Sequence, residues 1–213
     1  MKIDIPLLYQ TLLSELGPQG WWPAESKPEI LLGAILVQNT NWQTVEQSLA
    51  NLKQATQFLP ERITSISLEE LEQLIRPSGF YKNKAKTIKH MFTWMEDHQW
   101  DYQAISQDYQ NDLRSELLTI KGIGYETADV LMVYLFDRPV FIADSYARRL
   151  FGWLLKEEFK TYDSLYRLIQ LPDDFTAKDA NELHALIDEF GKIYLQKNSK
   201  QTIPFHREVF QKK

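Results

Sequence analysis

Apolar positions along the chain recur at intervals of three and four residues, the spacing of a helix with one buried face. In the first segment Leu8, Leu12 and Leu16 share such a face, and Gly17-Pro18 ends it. Alternating strand patterns nowhere outweigh this periodicity, and residues 138–142 form at most a short extended connector. The pattern therefore predicts an all-α fold. The predicted helical segments are 7–16, 30–49, 68–75, 84–95, 112–118, 127–136, 145–155, 164–168 and 179–195.

Composition narrows the classes of protein that remain. The chain has 213 residues, 44% of them hydrophobic and 25% charged, which is typical of a globular protein with one large domain or two small ones. Cysteine is absent, which excludes disulfides, thiolate zinc sites, cysteine-ligated iron–sulfur clusters and cysteine nucleophiles. A net charge of −5 argues against a protein that coats nucleic acid but is compatible with a local basic face.

Membrane and export signals are not recognisable in the sequence. The apolar runs 30–37 and 130–136 are too short to span a bilayer, and the N-terminus lacks the apolar stretch of a signal peptide. We therefore expect a soluble, cytoplasmic protein without a membrane partner. The polar, basic stretch 197–213 is expected to be poorly ordered.

The most informative segment is a glycine-rich turn between two helical stretches, residues 117–129. Gly122 and Gly124 flank Ile123, which is expected to pack between the helices. The second helix starts directly after the turn, so its first N–H groups suit an anion such as a DNA phosphate. Taken alone, this pattern is more often an ordinary interhelical turn with a glycine cap.

A longer match favours the functional interpretation. Residues 117–129 resemble the helix–hairpin–helix of DNA glycosylases, and Asp144 follows at the interval where the endonuclease III superfamily carries a catalytic Asp. Residues 36–40 resemble the segment that inserts a Gln, here Gln38, into the space left by an extruded base. Residues 78–85 resemble the turn whose apolar residue, here Phe80, wedges into the opposite strand. The chain is identified as a member of this superfamily.

The resemblance implies two helical subdomains with a DNA-binding cleft. Residues 25–138 would form a six-helix subdomain that contains the helix–hairpin–helix at about 112–136. The N-terminal helix, within residues 1–24, would pack with the C-terminal subdomain, residues 139–213. The implied partner is double-stranded DNA with a damaged base, bound by a monomer.

The resemblance also implies roles for individual residues. Asp144 would assist catalysis, although it directly precedes a predicted helix and capping that helix is its plain alternative. A monovalent cation, Na⁺ or K⁺, would bind the backbone carbonyls of Leu118, Ile120 and Ile123. A row of lysines adds charge, although such rows are usually solvated faces: Lys82, Lys84, Lys86 and Lys89. The residues expected to contact DNA are Gln38, Phe80, Lys82, Lys121, Gly122, Ile123 and Gly124.

Two departures from the family pattern suggest a subgroup. The four cysteines that hold an iron–sulfur cluster in many relatives are absent, so no cluster and no other required cofactor is expected. The position of the Schiff-base lysine of strand-cutting members is taken by Glu126, which leaves water as the nucleophile and predicts little or no lyase activity. Both departures are shared with the small, cluster-free 3-methyladenine DNA glycosylase branch. Gly20-Trp21-Trp22-Pro23 and Trp42 also resemble the aromatic pocket positions of that branch.

The chemistry of 3-methyladenine fits these residues. The alkylated base is cationic and leaves as a neutral molecule, so it needs an electron-rich aromatic clamp and a nearby carboxylate rather than a strong acid. The base pocket is expected to comprise Trp21, Trp22, Pro23, Trp42, Glu126 and Lys192. The tryptophans have core packing as their plain alternative. Two other functions stay open: a glycosylase for uracil or a mismatched adenine or thymine, and a non-catalytic helix–hairpin–helix DNA-binding protein.

Overall fold

Two compact units make up the chain in a computed structural model that describes residues 2–20, 22, 24–196 and 199–212. The central unit is Trp22–Phe136. The terminal unit combines Met1–Trp21 with Asp137–Lys213. The sequence-based boundaries, after residues 24 and 138, lie within three residues of these. Helices form the core of both units, which confirms the all-α fold class.

Eight helices build the central unit, and its interior is lined by the apolar faces that the periodicity marks. The longest, α6, packs against α2, α4 and α5, and the pair α8 and α9 forms the hairpin. The helices are α2 (Lys27–Leu36), α3 (Trp42–Thr56), α4 (Pro60–Ser65), α5 (Leu68–Leu74), α6 (Tyr81–Asp97), α7 (Tyr102–Tyr109), α8 (Leu113–Thr119) and α9 (Tyr125–Tyr134). Short 3-10 helices occupy Arg76–Ser78 and Gln110–Asp112.

The predicted helical run 30–49 is interrupted in the structure, so that prediction is wrong in one respect. The helix α2 ends at Leu36, and α3 begins at Trp42 after a turn in which Asn39 has a φ of 54°. Asn41 then caps α3, its side chain accepting the N–H of Thr44 at 3.2 Å. Two short helices, α4 and α7, were not predicted, because neither carries a long apolar stripe.

The terminal unit is built around α12 (Ala177–Tyr194), against which α1 (Ile5–Leu16) and α10 (Ser145–Leu155) pack. A shorter helix, α11 (Tyr162–Tyr166), lies against α10. Two-residue strands, β1 (Lys2–Ile3) and β2 (Gln211–Lys212), pair antiparallel. The largest fully buried side chains of this unit are Leu8, Leu12, Phe151, Phe190 and Phe210.

The C-terminal stretch is better packed than its polarity suggests. A 3-10 helix spans Arg207–Phe210, and the Phe210 ring is fully buried against Phe205. Apolar side chains thus give this stretch defined contacts at Phe205 and Phe210, while its expected poor order stays a prediction. Within the described part of the chain, every helix is too short or too polar to cross a membrane.

Candidate functional site

Asp144 lies at the start of α10 and is almost completely buried, with 9% of its surface exposed. Its Oδ1 accepts the Ala147 N–H at 2.7 Å, so the predicted helix cap is present. Burial and, to a smaller extent, the charge of Asp188 raise the pKa of this carboxyl to about 7, against the opposing effect of the Ala147 and Tyr146 N–H groups and Arg148. The result is a fixed carboxyl group that changes charge near neutral pH.

Three titratable side chains spaced four residues apart on α12 share one helix face, and the first of them lies beside Asp144 in the terminal unit. His184 Nε2 lies 3.9 Å from Asp144 Oδ2, and burial lowers the pKa of His184 to about 4. Asp188 is buried and forms an ion pair with Lys192. Burial lowers the pKa of Lys192, but the hydrogen bond and charge of Asp188 outweigh it, so that pKa is raised overall. Lys192 is therefore a cation held by Asp188.

The hairpin is positioned by contacts inside the central unit. Gly122 has a φ of 98°, and a Cβ there would overlap the Thr87 hydroxyl of α6. Arg114 of α8 donates to both carboxylate oxygens of the fully buried Asp129 of α9, at 2.7 and 2.8 Å. Ile123 is buried between these elements. The turn is therefore held by contacts with α6, α8 and α9, while the Lys121 side chain remains exposed.

Gln38 follows α2 in the turn and reaches the hairpin. Its side-chain amide donates to the Thr127 hydroxyl at 2.9 Å and lies 3.4 Å from the Gly122 carbonyl oxygen. A residue expected to enter DNA is therefore linked, in the free protein, to the element expected to hold the phosphate.

Phe80 protrudes from the surface of the central unit, with 69% of its area exposed. Gly79 and Phe80 have positive φ angles of 65° and 48°, so the backbone turns outward just before α6 begins. A left-handed conformation is unfavourable for a bulky residue, and it persists only where the surroundings enforce it. An exposed aromatic ring on such a turn suits the wedge role.

The lysines of α6 divide into two groups. Lys82 and Lys86 are exposed. Lys84 is buried, and Lys89 is half-buried with its Nζ donating to the carbonyls of Ile63, Thr64 and Ile66. The expectation that all four add charge for DNA is therefore wrong for Lys84 and Lys89, because their ammonium groups are used inside the fold.

Two of the tryptophans predicted for the base pocket contact each other in the central unit. The rings of Trp22 and Trp42 meet edge to face with centroids 5.2 Å apart, and Trp22 meets Tyr134 in the same way at 5.3 Å. The close approach of Trp22 to α2 requires Gly33, since a Cβ there would lie 2.9 Å from the indole. Trp21 and Pro23 lie outside the described residues.

The remaining predicted positions are on or next to the hairpin. Glu126 lies in the first turn of α9 and is exposed, as are Gly124 and Lys121. The Ile120 carbonyl accepts the Ile123 N–H at 3.0 Å, and the cation at the Leu118, Ile120 and Ile123 carbonyls stays a prediction. Among the residues that the structure describes, no cluster of three or more His, Asp or Glu side chains has a metal-binding arrangement.

Sequence reasoning missed several of these residues although a signal was present. Asp129 interrupts the apolar run of α9, which is typical of a buried ion pair. His184 and Asp188 share the spacing of Lys192 and point to the same helix face. Gly33 within an apolar helix is typical of a close approach by a large side chain.

Comparisons with known proteins agree with this geometry. A family profile described as "HhH-GPD superfamily base excision DNA repair protein" matches residues 32–172. A Methanocaldococcus jannaschii protein, provisionally named a DNA repair glycosylase, is 37% identical over 90% of this chain and 89% of its own length.

Solved structures give the same picture. The H. pylori 3-methyladenine DNA glycosylase bound to 1,N6-ethenoadenine is 31% identical, with a TM-score of 0.70 over 87% of this chain and 96% of that one. A non-covalent endonuclease III–DNA complex shares the fold, with a TM-score of 0.73 and 20% identity over 97% of this chain and 92% of that one.

Proposed function

The chain belongs to the HhH-GPD superfamily of base excision DNA repair proteins and is a DNA glycosylase, and from this we propose that it hydrolyses the N-glycosidic bond of alkylated purines such as 3-methyladenine. The substrate is double-stranded DNA in which the damaged base is extruded, and the protein acts as a monomer without a cofactor. The observation that carries the choice of base is the Trp22–Trp42 pair, supported by the 31% identity to the 3-methyladenine glycosylase of H. pylori.

The aromatic pair supplies what a cationic base requires. A cation over an indole face is stabilised by roughly 0.5–2 kcal/mol, and by more where water is excluded. The edge-to-face contact fixes both rings, so little rotamer entropy is lost when a base binds. A neutral base gains less from the same rings. The clamp therefore selects for alkylation damage.

Asp144 supplies the charge that the reaction needs at the sugar. As the base leaves, positive charge develops on the deoxyribose, and an ionised carboxylate stabilises that oxocarbenium-like state and accepts a proton from the attacking water. The Ala147 N–H holds one carboxylate oxygen, and this fixes the group without neutralising it. Because the base already carries a positive charge, no general acid has to protonate it.

The absence of lyase activity is part of the same proposal. Strand cleavage by a relative with lyase activity begins with an amine nucleophile, and the corresponding position holds the carboxylate of Glu126. Borohydride treatment during turnover is expected to trap no covalent protein–DNA adduct, with a bifunctional endonuclease III as the positive control. A trapped adduct would contradict this part of the proposal.

The decisive experiment is base release from methylated duplex DNA, with the free bases separated and quantified, for the parent protein and Asp144→Asn in parallel. We expect the parent to release 3-methyladenine and the variant to release about 100-fold less or none. If no alkylated base is released, duplexes that contain uracil or a mismatched adenine or thymine are tested next, and release from one of them would identify a different substrate. Release of no base at all, with an Asp144→Asn variant that binds DNA like the parent, would favour a non-catalytic DNA-binding protein.

A further inference from the structure

Lys84 is a buried lysine whose ammonium group connects two separate segments of the central unit. Only 3% of its surface is exposed. Its Nζ donates to the Leu36 carbonyl at 2.8 Å and to the Ser78 carbonyl at 2.7 Å. Leu36 is the last residue of α2, and Ser78 is the last residue of the 3-10 helix before α6. The side chain therefore fastens two helix ends to α6.

The two fastened ends lead directly into the residues expected to enter DNA. Gln38 follows Leu36 by two positions, and Phe80 follows Ser78 by two. Neither segment is a regular helix at that point, since Asn39 in one and Gly79 and Phe80 in the other have positive φ angles. A turn of this kind keeps its geometry only if the residues before and after it are held. The Lys84 side chain holds Ser78 before the turn, and the first turn of α6 holds Phe80, because the Lys84 N–H donates to the Phe80 carbonyl at 3.1 Å.

The chemistry of the contact explains why a charged group is buried here. The carbonyls at a helix C-terminus carry partial negative charge and lack partners within the helix, so an ammonium group satisfies both needs at once. Burial lowers the pKa of Lys84 to about 8, which is the cost of placing the cation there. A methionine would fill the same space without this cost, so the lysine contributes hydrogen bonds that a purely apolar side chain cannot.

The same helix also supports the hairpin. Thr87, three residues after Lys84, contacts Gly122 of the turn. Gln38 in turn donates to Thr127 at the start of α9. Residues of α6 therefore contact the α2–α3 turn, the Phe80 turn and the hairpin. Through its two hydrogen bonds, Lys84 links the residue before the first of these turns to the residue before the second.

We propose that Lys84 is a positioning residue for base extrusion, which sets the spacing between the Gln38 turn and the Phe80 turn so that both insert into the duplex together. The inference rests on the proposed glycosylase function. It assigns no phosphate contact to Lys84. Loss of the two hydrogen bonds leaves general DNA affinity intact, because that affinity depends on exposed charge and hairpin amides. It lowers instead the probability that both side chains enter the duplex at once.

The test compares Lys84→Met with Lys89→Met. Lys89 is a matched control because it lies on the same helix and also donates to carbonyls at a helix end, but those carbonyls belong to α4 and its following turn. Both variants lose buried hydrogen bonds and some stability. Thermal unfolding first establishes a temperature at which both are folded. Single-turnover release of 3-methyladenine, affinity for undamaged duplex, and the fluorescence of 2-aminopurine beside a stable abasic-site analogue are then measured at that temperature.

We expect Lys84→Met to lower the release rate and the 2-aminopurine signal by about tenfold or more, because displacements of about 1 Å are enough for losses of that size. Its affinity for undamaged duplex should stay within about twofold of the parent, since phosphate contacts determine it. Lys89→Met should match the parent in all three measurements. Equal losses in both variants, or a folded Lys84→Met with parental release and fluorescence, would overturn the proposal.

A second variant keeps the test valid if Lys84→Met does not fold. The Ser48 hydroxyl accepts the Ser78 N–H at 3.1 Å, so Ser48→Ala loosens the same turn by a smaller change. It should lower the 2-aminopurine signal by about threefold, in proportion to one lost hydrogen bond, and an unchanged signal would count against the proposal. If the parent protein releases no base but still raises the 2-aminopurine fluorescence, the proposed function is contradicted while the positioning role of Lys84 is retained.

Discussion

His184 Nε2 lies 3.9 Å from Asp144 Oδ2, and the two side chains, both buried, face each other between α12 and the start of α10. The pair is not an ion pair near neutral pH. Burial lowers the pKa of the imidazole to about 4 and raises that of the carboxyl to about 7. The imidazole is therefore neutral when Asp144 ionises and contributes no positive charge to the carboxylate.

This arrangement predicts the pH dependence of base release. Ionised Asp144 is the active form in the proposed reaction, so kcat/KM should rise with pH and level off above an apparent pKa of about 7. The measurement is a pH–rate profile for 3-methyladenine release at limiting substrate. A profile that stays flat down to about pH 5 would mean that the carboxyl ionises at its ordinary value, or that it is not needed.

Asp188 should affect the pH at which kcat/KM for base release rises. Its charge raises the pKa of Asp144, and it also pairs with Lys192. In Asp188→Asn the repulsion disappears and the Lys192 cation is no longer neutralised, and both changes favour the ionised form of Asp144. The rise in kcat/KM should therefore occur at lower pH in this variant. Asp173→Asn, at an exposed carboxylate of the same unit, is the control and should leave that pH unchanged.

A third prediction concerns stability at the same carboxyl. The folded-state pKa of Asp144 is above its unfolded value of 3.8, so the parent loses stability as pH rises from about 4 to about 7. Asn retains an oxygen for the Ala147 N–H but carries no charge. The unfolding free energy of Asp144→Asn should therefore exceed that of the parent by on the order of 2–4 kcal/mol above neutral pH, since one pKa unit corresponds to about 1.4 kcal/mol. Urea unfolding at acidic and alkaline pH measures the difference, which should vanish at acidic pH.

The sequence predicted best what depends on local pattern. Asp144 could be recognised as a helix cap from its neighbours, and Gly122 from the turn that it makes. Lys84 was misread as a surface charge, although it shares the buried face of α6 with Ile88 and Met91. The meeting of His184 with Asp144 could not be predicted, because it depends on how α12 packs against α10 and no short motif records that contact.

The hairpin offers a comparison between two glycines. In Gly122→Ala the added Cβ would overlap the Thr87 side chain at a φ of 98°, so both strain and displacement follow. We expect a loss of about 2 kcal/mol or more in stability, and weaker DNA binding. Gly124→Ala is the matched control, since its Cβ meets nothing within 4 Å and its φ is −97°. Thermal unfolding of the two variants should differ clearly, and equal effects would show that the turn tolerates the side chain, while the duplex affinity of Gly122→Ala is compared with that of the parent.

The last prediction concerns Phe80, which combines high exposure with an unfavourable backbone angle. Phe80→Ala removes little buried area and should leave the unfolding free energy within about 0.5 kcal/mol of the parent. If the ring wedges into the duplex, the same variant should lower single-turnover base release by about tenfold, because base stacking on an aromatic side chain is worth roughly 1–3 kcal/mol. Leu168→Ala is the control, since Leu168 is another exposed apolar residue, in the terminal unit. It should change neither quantity, and a Phe80→Ala variant that releases base at the parental rate would remove the wedge from the mechanism.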